Sequence, residues 1–149
     1  MTTDTKGDSV RVHGKTPKVI FDSSFLFTSA QFHMDIYEEL ARLLNRKFRP
    51  IILTPTVEEL QRLARANSPK LQKQAALALQ VAQKCLRVKA SRRVSESHDE
   101  VIVRMASGTN SCVATNDKGL RRSLRARNVP VIYLRQRSGL ALDGALDGQ

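Results

Sequence analysis

Short apolar runs alternate with amphipathic segments along most of the chain. Runs that predict strands lie at residues 18–22, 50–53, 87–89, 111–115 and 129–134. Apolar positions spaced at a helical period predict helices at residues 31–48, 57–66, 70–86, 97–107 and 117–127. Because strands that alternate with helices pair in parallel, the sequence predicts an α/β fold, a three-layer α/β/α sandwich with a parallel sheet.

The apolar pattern also sets the domain limits. We predict one domain at residues 18–137, between a flexible N-terminal tail at residues 1–17 and a flexible C-terminal tail at residues 138–149. No apolar run approaches the roughly 20 residues needed to span a bilayer, and no secretory leader follows Met1, so a cytoplasmic protein without membrane contact is expected. The cysteines and histidines are scattered, which argues against a zinc site.

The strong positive charge of the chain predicts a polyanionic partner. The 149 residues carry a formal net charge of +11, and no acidic residue occurs between Leu60 and Ser95 or between Lys118 and Arg137. Basic fields around isolated carboxylates suit a protein that cuts nucleic acid, although solvated helix faces of a basic protein would give the same composition. The residues expected to hold a nucleic-acid backbone are Arg62, Arg65, Lys70, Lys73, Lys118, Arg121, Arg122 and Arg125.

Four acidic residues follow predicted strands or begin predicted helices. Asp22 ends the first strand, Glu59 and Asp99 lie in first helical turns, and Asp117 follows the strand at residues 111–115 by two positions. The carboxyl ends of parallel strands share one edge of a sheet, so these acids are expected to converge there. Clustered carboxylates repel unless a cation lies between them, and Mg²⁺ or Mn²⁺ suits oxygen ligands.

Two of these acids have a purely structural interpretation. Glu59 is the third residue after Thr56, so the pair fits a capping box. Asp117 is placed to cap the helix that follows it.

The other two acids are harder to explain by capping. Ser97 and Glu100 fit a capping box of their own, which leaves Asp99 without a structural task. No helix is predicted directly after Asp22, so its charge at a strand end lacks a local explanation. The four acids together are stronger support for a site than any one of them.

Four segments resemble the PIN domain family of metal-dependent nucleases. They read VIFDSSFLF, VEELQRL, HDEVIVRMA and VATNDKGLRRSLRARNVPVIYL, and the resemblance spans residues 18–135. It implies a five-stranded parallel sheet between helices. It also implies an acidic metal site at Asp22, Glu59, Asp99 and Asp117, supported by Ser24, Thr115 and Asn116.

The resemblance implies a function as well. A Mg²⁺- or Mn²⁺-dependent endoribonuclease is expected. The compact layout resembles both small archaeal proteins related to the rRNA-processing PIN endonucleases of ribosome biogenesis and the toxins of VapBC pairs, and the basic charge favours the rRNA-processing type. The alternatives are the toxin ribonuclease of a VapBC-type pair, which would have an antitoxin partner, and a catalytically weak RNA-binding PIN protein. A homodimer is left open.

Other α/β functions fit the residues less well. A receiver-type phosphoacceptor requires an acidic pair at the first strand and a lysine after a late strand, whereas Asp22 stands alone. An aspartyl-phosphate phosphatase requires a second aspartate where Ser24 stands. No glycine-rich loop follows any predicted strand, which disfavours a nucleotide-binding enzyme.

Overall fold

The structure is a computed structural model that describes residues 16–108, 110–136 and 139–146. Its strands are β1 (Lys18–Phe21), β2 (Arg49–Leu53), β3 (Leu86–Val88), β4 (Ser111–Ala114), β5 (Val131–Arg135) and β6 (Gly139–Asp143). Its helices are α1 (Ser23–Phe32), α2 (Ile36–Leu44), α3 (Thr54–Leu63), α4 (Pro69–Val81), α5 (His98–Ala106) and α6 (Lys118–Ala126), with a 3-10 turn at Ala82–Lys84.

The strands form one sheet in the order β3-β2-β1-β4-β5-β6. The first five strands in this order are parallel, and β6 runs antiparallel to β5. The chain builds outward from β1 in one direction and then returns to β4 on its other side. The expected α/β/α sandwich is therefore confirmed, the sheet has six strands in the described residues rather than five, and its topological switch point lies between β1 and β4.

Side chains of the central strands alternate between two apolar cores. Val19 and Phe21 of β1 pack in the core shared with α1 to α4, whereas Ile20 packs in the core shared with α5 and α6. Each strand of a fully covered parallel sheet must be apolar on both faces, which explains the continuous apolar runs in the sequence. None of the helices in the described ranges is long and apolar enough to cross a bilayer.

The segment after β1 differs from the sequence expectation. A helix, α1, begins at Ser23, directly after Asp22, and it ends at His33 in a left-handed conformation with φ 53°. The Asp35 side chain then accepts a hydrogen bond from the Glu38 amide and starts α2. The prediction of one helix over residues 31–48 is wrong, because this break divides the segment into two helices.

The C-terminal segment also differs. The prediction of a flexible tail at residues 138–149 is wrong for residues 139–146, because strand β6 pairs with β5 along its whole length. Leu146 is only 4% exposed and belongs to the core of the α1 to α4 layer. The Asp143 carboxylate lies 2.9 Å from Arg121 and 3.2 Å from Arg125 of α6. Of the predicted N-terminal tail at residues 1–17, residues 1–15 lie outside the described part of the chain, as do residues 109, 137, 138 and 147–149.

Candidate metal centre

Asp22 lies at the switch point between β1 and β4. Its side chain is buried, with 4% of the residue exposed. The Oδ2 atom accepts hydrogen bonds from the Ser24 hydroxyl at 2.8 Å and from the Thr115 hydroxyl at 2.7 Å. These two donors come from the start of α1 and the end of β4, so they hold the carboxylate in one orientation where the two strands end.

Asn116 connects the surroundings of this carboxylate to the neighbouring elements at the same edge of the sheet. The Asn116 amide donates to the Ser24 hydroxyl at 3.1 Å, and the Asn116 side-chain oxygen accepts from the Leu134 amide at 2.9 Å. The Asn116 side-chain nitrogen also donates to the Thr28 hydroxyl. Asn116 therefore ties the end of β4 to α1 on one side and to β5 on the other.

Asp117 is the N-cap of α6, as the sequence predicted. Its Oδ1 atom accepts from the Leu120 amide at 3.0 Å, while its own amide donates to the Thr115 hydroxyl at 3.1 Å. The residue is exposed at the same edge of the sheet as Asp22. The helix cap uses the Oδ1 atom of Asp117, so the Oδ2 atom is not needed for capping.

Asp99 lies in the first turn of α5. The capping box of Ser97 and Glu100 is present, with contacts of 3.1 and 2.7 Å, so Asp99 takes no part in capping. Burial raises the pKa of the Asp99 carboxyl, and the nearby charges of Asp22, Asp117 and Glu59 raise it further, whereas His98 opposes the shift. The four acids therefore interact electrostatically across more than 90 residues of sequence.

Glu59 reaches this group from α3, although not as a capping residue. The predicted capping box with Thr56 is wrong, because α3 begins at Thr54 and its N-cap is Leu53. Thr56 is instead fully buried, and its hydroxyl lies 3.1 Å from His98 Nε2. Among the described residues, the buried Glu59 Oε1 atom has no hydrogen-bond partner, and it lies 3.6 Å from His98 Nδ1.

His98 is the residue of this region that sequence reasoning missed. It stands at the start of α5 and bridges Thr56 and Glu59 of α3. Its position beside Asp99 was visible in the sequence, but the packing of α5 against α3 was not.

The donor set of this region suits a hydrated divalent cation rather than one held directly by several side chains. Within the described ranges, no three side chains among histidine, cysteine, aspartate and glutamate stand close enough together to hold an ion directly. The neighbouring carboxylates nevertheless raise the pKa of Asp99, and the Glu59 Oε1 atom accepts no hydrogen bond from the described residues, so the site has excess negative charge. Mg²⁺ keeps several waters and is usually held by only one or two carboxylates, so the arrangement fits a hydrated ion.

The basic residues expected to bind RNA fall into two groups. Those on the α3–α4 side are exposed, and they are Arg62, Arg65, Lys70 and Lys73. On α6, Lys118 and Arg122 are exposed, whereas Arg121 and Arg125 both pair with Asp143. The Arg121 guanidinium also lies 3.8 Å from the centre of the Tyr133 ring. Two members of the expected set therefore anchor β6.

Comparisons with known proteins identify the family of this chain. The family model described as a PIN like domain matches residues 19–137. Ribonuclease VapC4 of Methanocaldococcus jannaschii is 34% identical over 128 residues, which cover 85% of this chain and 97% of that protein. The PIN domain endonuclease Utp24 superposes with a TM-score of 0.71 at 24% identity, covering 87% of this chain and 93% of the other, and shares the fold. This chain belongs to the PIN-like domain family.

Proposed function

We propose that this protein is a metal-dependent endoribonuclease that uses Mg²⁺ or Mn²⁺ to hydrolyse RNA phosphodiesters. The observation that carries the proposal is the convergence of Asp22, Glu59, Asp99 and Asp117 at the switch point, where their charges raise the pKa of Asp99. The relative VapC4, which is named a ribonuclease, supports the choice of RNA as substrate.

The acidic residues have distinct tasks in this proposal. Asp22 is the rigid ligand, because two hydroxyls fix its carboxylate. Asp99 and Asp117 supply charge from the N-terminal ends of α5 and α6, and Glu59 offers its unpaired oxygen directly or through water. A divalent ion bound among these residues would lower the pKa of a coordinated water and stabilise negative charge on the phosphate.

The proposed reaction uses water, and no protein side chain, as the nucleophile, and this determines its products. The hydroxyls of Ser24 and Thr115 both serve the Asp22 carboxylate, so they are committed to positioning. Water is therefore the attacking group, and hydrolysis would leave a 5′-phosphate and a 3′-hydroxyl. Exposed cations near the rim, such as Lys118 and Arg122, would hold the RNA backbone beside the acids.

We propose processing of structured rRNA precursors as the biological role. The net charge of +11 supports a large, structured polyanion as substrate, and the low aromatic content of 5% leaves little capacity for base stacking. A toxin ribonuclease with an antitoxin partner is the second candidate, favoured by the 34% identity to VapC4.

The test compares wild type with Asp22→Asn on precursor rRNA and on tRNA, in Mg²⁺, in Mn²⁺ and in EDTA, with mapping of the cleaved ends. We expect cleavage by wild type only with metal, and a loss of at least about 100-fold in Asp22→Asn, in the range typical for removal of a key catalytic group. Equal rates for the two proteins would refute the site. Binding of RNA without cleavage by wild type would favour a binding protein, and selective tRNA cleavage would favour the toxin role.

A further inference from the structure

A polar groove lies on the opposite side of the sheet from α1 to α4, with a volume of about 610 Å³. It is bounded by the loop before α5 (Arg93 and Val94), by α5 and its end (Val103 and Ser107), and by α6 and its end (Ser123 and Arg127). We propose that this α5–α6 groove binds the backbone of an RNA strand beyond the cleavage position, an inference that rests on the proposed function. None of its cations belongs to the set expected from the sequence.

The loop that forms one side of the groove is held rigidly by Glu96. The Glu96 carboxylate accepts two hydrogen bonds from the Arg104 guanidinium, at 2.8 and 3.0 Å, and a third from the Arg93 amide at 2.8 Å. Arg104 also donates to the Ser91 carbonyl at 2.8 Å, and Arg92 donates to the Glu96 carbonyl at 2.9 and 3.1 Å. A loop with so many bonds presents its side chains in a defined geometry.

Cations outnumber acids in the groove. It is lined by three arginines, Arg93, Arg104 and Arg127, and by two acids, Glu96 and Glu100. Arg104 pairs with Glu96, and Glu100 keeps its charge while its carboxylate accepts a hydrogen bond from the Ser97 amide. Within the described residues, neither the Arg93 nor the Arg127 guanidinium forms an ion pair. Guanidinium groups with nearby hydroxyls are the donors that phosphate oxygens prefer.

An exposed apolar side chain completes this surface. Val94 is 98% exposed, although the loop that carries it is fixed, and the next residue, Ser95, holds a left-handed turn at φ 63°. An exposed apolar group in a groove lined by arginines suits the mixed chemistry of a ribose and base more than it suits a carboxylate-rich protein. RNA is therefore favoured over an acidic protein partner.

The groove lies along the same two helices that carry two acids of the candidate metal centre. Asp99 and Asp117 stand at the starts of α5 and α6, and the groove follows the same two helices towards their ends. The nine residues of α6 extend about 13 Å. A strand whose phosphate lies at the acids can therefore reach Arg127 after a short extension.

The test measures the affinity of a labelled single-stranded RNA in EDTA at stepwise salt concentrations. The double variant Arg93→Gln with Arg127→Gln is expected to bind about tenfold more weakly, and the slope of log K against log salt should become shallower by about 1.4 for two lost phosphate contacts. Ser123→Glu, which adds a carboxylate while both arginines remain, should also weaken binding. Thermal midpoints confirm that each variant folds.

The matched control is Lys47→Gln with Arg49→Gln, which removes two exposed cations at the amino end of β2, away from the acids. We expect less than a twofold change in affinity for this pair. Equal effects in the two double variants, or unchanged affinity and slope in Arg93→Gln with Arg127→Gln, would overturn the groove. Cleavage by wild type in Mn²⁺ is scored separately, so failure of the nuclease proposal is distinguishable from failure of the groove.

Discussion

The Asp22 carboxylate illustrates how single residues define this molecule. Its Oδ2 atom accepts hydrogen bonds from Ser24, two positions away in the sequence, and from Thr115, 93 positions away. Thr115 is fully buried, and its oxygen also accepts from the Asp117 amide. One hydroxyl therefore aligns two of the four acids, and its loss should affect both stability and metal affinity.

Thr115→Val removes this hydroxyl with little change in shape. We expect a loss of about 1–3 kcal/mol in the free energy of unfolding, because a buried carboxylate and an amide lose a partner. Mn²⁺ affinity should fall as well. Urea titration and calorimetry measure the two effects, and Ser107→Ala, which removes a hydroxyl bonded to the Val103 carbonyl, serves as the control. Unchanged Mn²⁺ affinity in Thr115→Val would contradict the positioning role.

Asp99 gives a prediction about pH. Burial and the neighbouring carboxylates raise its pKa above the ordinary value of 3.8, so the folded protein holds its proton more tightly than the unfolded chain. The resulting stability is present at low pH and is lost as pH rises through the folded pKa. In EDTA, Asp99→Asn should therefore have a higher thermal midpoint than wild type at neutral pH, with a smaller advantage near pH 4.

In our proposal, a bound metal makes wild type more stable than Asp99→Asn, the reverse of the order expected in EDTA. Mn²⁺ should raise the thermal midpoint of wild type by binding to the folded state, and it should raise that of Asp99→Asn much less. Glu58→Gln, which neutralises an exposed acid on the same helix as Glu59, should behave like wild type. A lower midpoint for Asp99→Asn than for wild type in EDTA at neutral pH would show that the acids do not repel as inferred.

At the scale of elements, α5 is joined to its preceding loop by the pair Glu96 and Arg104. Hydrogen bonds from the Arg104 side chain and the Arg93 amide lower the pKa of Glu96 to about 2. Negative charge that is repulsive in the candidate metal centre thus stabilises the fold at Glu96, because here the carboxylate has a cationic partner.

Glu96→Gln should destabilise the protein in a pH-dependent way. A lowered pKa contributes stability that is present above the ordinary value of 4.5 and is lost as pH falls towards about 2. The difference in thermal midpoint between wild type and Glu96→Gln should therefore be largest at neutral pH and should shrink in acid. Glu38→Gln, which removes an exposed ion pair with Arg42, is the control with a small effect. A difference that stays constant with pH would argue against the ion pair.

Strand β6 provides a second prediction at this scale. Leu146 is 4% exposed and packs in the main core after the strand ends. Leu146→Ala should lower the free energy of unfolding by about 2–4 kcal/mol, as for other buried leucines. Leu140→Ala, at a partly buried position of β6, should cost less. Equal and small losses in urea titration would indicate that β6 is not integral to the fold.

At the scale of the whole molecule, the topology places charge of opposite sign in adjacent regions. The acids gather at the switch point, while cations cover both helical layers around it. RNA affinity should therefore fall steeply with salt, whereas Mn²⁺ affinity should respond mainly to pH and to the acids. If an uncharged analogue of the RNA bound with the same salt dependence as RNA, the cations would not be the residues that bind the RNA backbone.

The sequence by itself determined the fold class, because apolar period and helix length depend on neighbouring residues. It also located the capping box at Ser97 and the cap at Asp117, since both depend on residues within one turn. The helix directly after Asp22 was missed, because Phe25, Leu26 and Phe27 follow one another and give no apolar spacing at a helical period. The position of α3 was shifted by one turn, which invalidated the predicted capping role of Glu59.

Only the tertiary structure decided which residues meet. The contacts of Asp22 with Thr115, of His98 with Thr56, and of Asp143 with Arg121 join positions that are far apart in the chain. Strand β6 also depends on tertiary structure, because its five residues form a strand by pairing with β5. Local patterns specify elements, but contacts between distant residues depend on how those elements pack, and this packing is what brings the acids together.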